Sequence, residues 1–303
     1  MKYLPVWFVF VALLSACAGG SHKAADETVQ NPYIKRAKTL TDAGIFAMQR
    51  ERWEYARNVF ERALKEAQLA DNPRLVAQQW YNLGTANAAA KHNKEALHDF
   101  SEARIVAERA GDQTGLARAR LAWVLLTIRT GKQPANANIW QPDVFAMDYP
   151  VDVHLAAARL AQKQQRRHVA KQEYEIVLKK SGKFRPGLLS RGQAYLGLAM
   201  LAREEQNMKS AKRDVEKSLD LLRQAGSPRL IAHALLFYGK LEVPVNDRRD
   251  ALQRALVIYQ RLDDTTGQRD CLTALVELEN HTGSTRAASA YQQRLKSLQH
   301  EQD

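Results

Sequence analysis

Cysteine is nearly absent: Cys17 and Cys271 are the only two in 303 residues, too few for a disulfide scaffold or a site of four thiolates. The chain also lacks the HExxH of zinc peptidases, a CxxC pair, the GxSxG nucleophile elbow and both glycine-rich phosphate motifs. Its eight histidines are scattered, and His92 and His98, the two near neighbours, stand six apart, a spacing that aligns poorly on a helix. Neither a metal nor a cofactor is therefore expected. Nine prolines and fifteen glycines leave room for long helices, and no stretch alternates with the period of a strand. The apolar run Leu4 to Leu14 is too short to span a bilayer comfortably. What remains is globular composition, 45% hydrophobic and 26% charged, with an excess of one sign. Lys plus Arg number 45 against 33 acids, a formal charge of +12 and a pI near 9.7, so an acidic partner is expected.

The short apolar run follows Met1-Lys2 and ends in Leu14-Ser15-Ala16-Cys17, a pattern that resembles the lipobox of bacterial lipoproteins. The resemblance implies a signal peptide over residues 1–16 and a lipid on Cys17. Two or three acyl chains anchor a protein stably where one gives only marginal binding, so the mature chain is expected to be tethered rather than spanning. Ala18 is not the aspartate that the resemblance associates with inner-membrane retention, which implies the periplasmic face of the outer membrane. Residues 17–32 then read as the lipidated cysteine and a small, polar, flexible tether.

The chain repeats itself. Gly44 and Gly84 lie 40 apart, as do Ala56 and Ala96, Phe60 and Phe100, and Ala63 and Ala103. The second unit adds Trp80, Leu83 and Gly84 in a W-x2-LG arrangement. This pattern resembles the tetratricopeptide repeat, two antiparallel helices with small residues where they cross and an aromatic closing the pair. Taking the small residue of the second helix as a marker places later units at Ala170, Ala211, Ala251 and Ala287. Turns are expected at Asp71-Asn72-Pro73, Gly111-Asp112, Gly182, Gly226-Ser227-Pro228 and Gly267, with Asn72 and Ser227 as N-caps ahead of a first-turn proline. A third unit should be centred near residue 135. Its first helix is present as Leu116 to Arg129, whereas Pro134, Pro142 and Pro150 limit any helix after it. The expected fold is an all-α right-handed solenoid of six clear helix pairs and one degenerate pair. Repeats should occupy residues 33–130 and 151–303, divided by an insertion or damaged unit at 131–150.

Such repeats bind along the surface built from the first helix of each unit. With units starting at 37, 77, 117, 151, 192, 232 and 268, the lining includes Lys38, Tyr81, Asn82, Arg118, Arg129, Arg159, Lys163, Arg203, Lys240 and Arg269 against Asp152, Glu204 and Glu279. The carboxylate clamp of one family subset is not carried over. Asn82 and Arg118 stand where it needs polar groups, but Thr41, Ile45 and Ala122 replace the rest. Trp140, Phe145 and Tyr149, in the segment without a second helix, form a possible loop site. Cys271 occupies a first-helix core position and is expected to be a buried, inert thiol. The resemblance implies a non-catalytic scaffold lipoprotein for assembly of an envelope machine, such as type IV pili, outer-membrane proteins or the peptidoglycan machinery. Its partners would be periplasmic or outer-membrane proteins rather than nucleic acid. The alternative is a component of polysaccharide export whose basic lining meets an acidic glycan.

Overall fold

The computed structural model describes residues 31–131 and 149–300, and these form thirteen α-helices with no strand. The chain divides into two compact units, residues 1–139 and 140–303. In the first lie α1 (Pro32–Gln49), α2 (Trp53–Leu69), α3 (Pro73–Ala89), α4 (Asn93–Arg109) and α5 (Gln113–Arg129). The second holds α6 (Val151–Lys163), α7 (Arg167–Lys180), α8 (Arg185–Glu204), α9 (Met208–Ala225), α10 (Pro228–Gly239), α11 (Val245–Arg261), α12 (Thr265–His281) and α13 (Thr285–His300). Each helix packs on its neighbour in sequence within its unit, and first helices also touch across pairs: α3 meets α5, α6 meets α8, and α10 meets α12. Six helix pairs are present, and α5 is a first helix with no second helix among the described residues.

The small residues and aromatics of the repeat meet where the helices cross. Ala56 and Ala96 are wholly buried, and Phe60 and Phe100 lie against Gly44 and Gly84. A Cβ at Gly84 would stand 2.7 Å from Phe100 Cδ1, so only glycine permits so close a crossing. Ala170, Ala211 and Ala251 are buried in the same role, with Tyr174, Val215 and Ala255 buried four residues on. In the last pair the register shifts by one: Ala288, not Ala287, is the buried residue.

Most helix junctions share one joint. The C′ residue is left-handed and the next amide reaches back five residues, as in Arg52 N to Ala47 O at 3.0 Å and Asn207 N to Ala202 O at 2.8 Å. Glycine fills the left-handed position at Gly111, Gly131, Gly226 and Gly283, but Glu51, Asp71, Lys91, Gln165, Gln206 and Asp263 fill it elsewhere. Where a further helix follows among the described residues, the residue after the left-handed one leads into it. Asn72, Asp112, Asn207 and Asp264 accept from the amides of Leu75, Gly115, Ser210 and Gly267 at 2.9–3.0 Å. Ser227 is an N-cap without a side-chain bond, and Pro73 and Pro228 open their helices as expected. Gly267 is not a turn. It lies in the first turn of α12, packed on the Tyr259 ring, because the reversal is made by Asp263 and Asp264.

Candidate partner interface

The expected lining residues of the first unit are largely engaged within the fold. Lys38 is exposed on α1. The half-buried ring of Tyr81 packs on Phe100, with centroids 5.8 Å apart and planes at 45°. Asn82 Nδ2 donates to Gln79 Oε1 at 3.4 Å, and the same oxygen accepts from the buried Thr41 hydroxyl at 3.1 Å. Arg118 is half-buried on α5. Arg129 folds against the α3–α4 junction, donating to Ala88 O and Asn93 Oδ1 at 3.0 Å each, so its charge serves the carbonyl end of α3.

The second unit gathers its cations differently. Arg159 on α6 donates to Gln193 Oε1 on α8. Arg203 near the end of α8 lies over the Phe237 ring of α10, 5.0 Å from its centroid, a cation–π contact that ties α8 to α10. His233 stands on α10. The surrounding protein desolvates its imidazole, and the positive charges of Arg159 and Lys240 add to this against the opposing Asp270, so its pKa lies below the ordinary histidine value. The side chain is nevertheless open to solvent. Arg159 and Lys240 therefore act on His233 together, with Asp270 opposing them and Lys163 exposed one turn beyond Arg159.

The acids expected to oppose them are mostly occupied. Glu279 is buried at 2% exposure and takes a bidentate contact from Arg249 on α11, Nη2 to Oε2 at 2.9 Å, which holds its carboxyl below the usual range. It is a core ion pair rather than a lining residue. Glu204 pairs with Arg167 at 3.3 Å. Asp152 is exposed in the first turn of α6 and Arg269 half-buried on α12. Gln193, His233 and Asp270 were not among the expected lining residues. Gln193 and His233 occupy the second position of their units, as Lys38 and Arg118 do, so the same register reaches them.

Of the possible loop site, Trp140 and Phe145 lie outside the described residues, as does Cys17. Tyr149 is buried at 7% exposure, and its carbonyl accepts from Lys180 Nζ at 2.8 Å. Packing on α7 occupies this residue. Cys271 is fully buried, and burial pushes its thiol up to about 12, so it carries almost no thiolate at neutral pH. Among the described residues no group of three metal-ligating side chains occurs, and no helix is long and apolar enough to cross a membrane.

No protein-family model matches the chain, and no curated protein resembles it significantly. Solved structures do. The apo form of the quorum sensor NprR from B. thuringiensis superposes with a TM-score of 0.63 at 12% identity, covering 97% of this chain and 84% of that one. The apo form of RapI gives 0.52 at 11% identity over 86% of this chain and 76% of that one. A tetratricopeptide repeat protein from Parabacteroides merdae gives 0.48 at 14% identity, covering 87% and 93%. At such identities the likeness is one of fold, and the chain has the helix-pair solenoid fold of tetratricopeptide type.

Proposed function

We propose that this chain is a non-catalytic protein-interaction scaffold, tethered by lipid on Cys17 to the periplasmic face of the outer membrane, which holds acidic segments of partner proteins during assembly of an envelope machine. The observation that carries the binding part is that Arg159 and Lys240 act together on His233 in the second unit, with Asp270 the one acid acting on that imidazole and the expected lining acids Glu204 and Glu279 already paired. The anchoring part rests on the lipobox-like Leu14-Ser15-Ala16-Cys17 and the polar tether after it.

Reversing Arg159, Lys163 and Lys240 to Glu should weaken capture of co-purifying partners by about tenfold or more, and raising salt should weaken wild-type capture. The same number of reversals on exposed second-helix residues, Lys171, Lys179 and Lys209, is the control. Equal loss from both sets would reduce the surface to an effect of net charge. Replacing Cys17 with Ala should release the protein from membrane fractions and abolish palmitate labelling. A Cys17→Ala chain that still takes up label would end the anchoring part.

A further inference from the structure

On the second-helix side of the second unit, α9 and α11 stand either side of α10 and leave an open cavity of about 400 Å3 between them. Lys212, Glu216, Asp220 and Arg223 of α9 form one wall, and Asp247, Asp250 and Arg254 of α11 form the other. The floor is apolar: Leu219, Leu235 and Ala251 are buried, and the half-buried ring of Tyr238 lies among them. The rim is open to solvent. Its paired side chains are all at least 43% exposed, and every helix beside it belongs to the described residues.

The walls carry an ordered pattern of charge. α9 and α11 each join α10 through a short turn, so both run against it and parallel to one another. Glu216 and Asp247 face the same phenol. Burial raises the pKa of Tyr238, and the negative charges of these two carboxylates, one from each wall, raise it further. From that level, Asp220 and Asp250 lie about one turn on, and Arg223 and Arg254 stand seven residues along each helix. The cavity therefore passes from two acidic levels to a basic one. Lys212 pairs with Glu216 at 3.9 Å, Arg223 with Asp220 at 3.3 Å and Arg254 with Asp250 at 3.1 Å, each within its own helix. Exposed pairs of this kind are weak and exchange readily, and Asp247 makes no ion pair among the described residues. Four carboxylates against three cations reverse, locally, the sign of a chain whose formal charge is +12.

We propose that this cavity docks an extended basic segment of a partner protein carrying two arginines two residues apart, the first seated on Tyr238 between Glu216 and Asp247, the second between Asp220 and Asp250. Side chains two apart in an extended chain point the same way about 6.6 Å apart, close to the step of about 5.4 Å between the acidic levels. Arginine suits the first level better than lysine. Its planar fork can meet a carboxylate from each wall while its face stacks on the ring, and its methylenes cover the apolar floor. A free small molecule would be left too exposed, because ligand pockets enclose most of what they bind and this one is open. The proposal shares with the scaffold reading only that the partner is a protein. It uses none of the cations around His233, so the two can fail separately.

The test titrates the full chain into three 12-residue peptides of Ser and Leu, acetylated, amidated and labelled with tetramethylrhodamine, and follows anisotropy. One has Arg-Ser-Arg at its centre; in the others both arginines are replaced by the neutral isostere citrulline or by lysine. The arginine peptide should bind about tenfold tighter than the citrulline peptide, and tighter than the lysine one. A general effect of net charge works the other way, since the chain as a whole repels cations. Glu216→Gln with Asp247→Asn should remove the preference at unchanged helical dichroism. Tyr238→Phe, which keeps the ring, should retain it, and Tyr238→Leu should weaken it. Asp42→Asn with Glu277→Gln, exposed carboxylates elsewhere, should leave the affinity unchanged. Equal binding of the arginine and citrulline peptides, or no effect of the Glu216 and Asp247 changes, would overturn the proposal. So would displacement by N-acetylarginine amide at similar concentration, which marks a small guanidinium site. Self-association of the chain that the same double variant abolishes would also overturn it, by giving the cavity to a second copy.

Discussion

The ring of Phe100 lies across the backbone of Gly84, leaving no room for a methyl group between α3 and α4. Gly84→Ala should therefore destabilise the protein by about 1–3 kcal/mol, because the ring or the helix must move to admit the Cβ. Gly182 has open space around it and no left-handed backbone, so Gly182→Ala should fall within about 0.5 kcal/mol of wild type. Urea unfolding of the two variants side by side checks the crossing. Equal stability would mean that α3 and α4 are not so closely packed.

Arg249 and Glu279 give a pH dependence of defined sign. Because the guanidinium lowers the folded pKa of Glu279, the pair adds stability above the unfolded carboxylate value, roughly 4.3, and loses it as pH falls through the lower folded value. At pH 7 Arg249→Met should cost about 3–5 kcal/mol by stranding a buried carboxylate, whereas Arg249→Met with Glu279→Leu should cost much less. The excess cost of the single variant should disappear in acid, where the stranded carboxyl takes up a proton. A single variant no worse than the double at pH 7 would show that Glu279 is not buried as a charge.

His233 provides a readout within the proposed interface. Its pKa is held low by desolvation and by the cations Arg159 and Lys240. An acidic segment bound among them brings opposite charge and raises that pKa, so binding takes up protons and must tighten as pH falls toward the free-state value. His233→Asn should flatten this dependence while keeping most of the affinity at pH 8. An unchanged pH profile in His233→Asn would place the acidic segment elsewhere.

The crossing residues were legible in sequence because they recur at fixed spacing: Gly44 with Phe60 and Gly84 with Phe100 are local facts of two helices joined by a short turn. Glu279 was misread as a lining acid for the opposite reason. Its partner Arg249 lies thirty residues earlier on another helix, and no spacing rule announces that a carboxylate at a lining position turns inward to meet it. Tyr81 and Arg129 illustrate the same limit. Their register places them on a first helix, but whether a long side chain reaches outward or folds onto Phe100 or the Ala88 carbonyl depends on what lies within a few ångströms. The charges around His233 were not legible, because Arg159 on α6 and Lys240 at the end of α10 stand about eighty residues apart in the chain.

The joint shared by most helix pairs explains how such a chain can diverge. Its bonds run from backbone to backbone, and the left-handed residue is tolerated as glutamate, lysine or glutamine at a cost of about 1–2 kcal/mol relative to a relaxed conformation. Selection on the hairpin therefore acts on a path of the main chain and on a few small side chains at the crossings, not on a fixed string of letters. The fold therefore does not depend on most of the letters: NprR superposes on this chain with a TM-score of 0.63 at 12% identity.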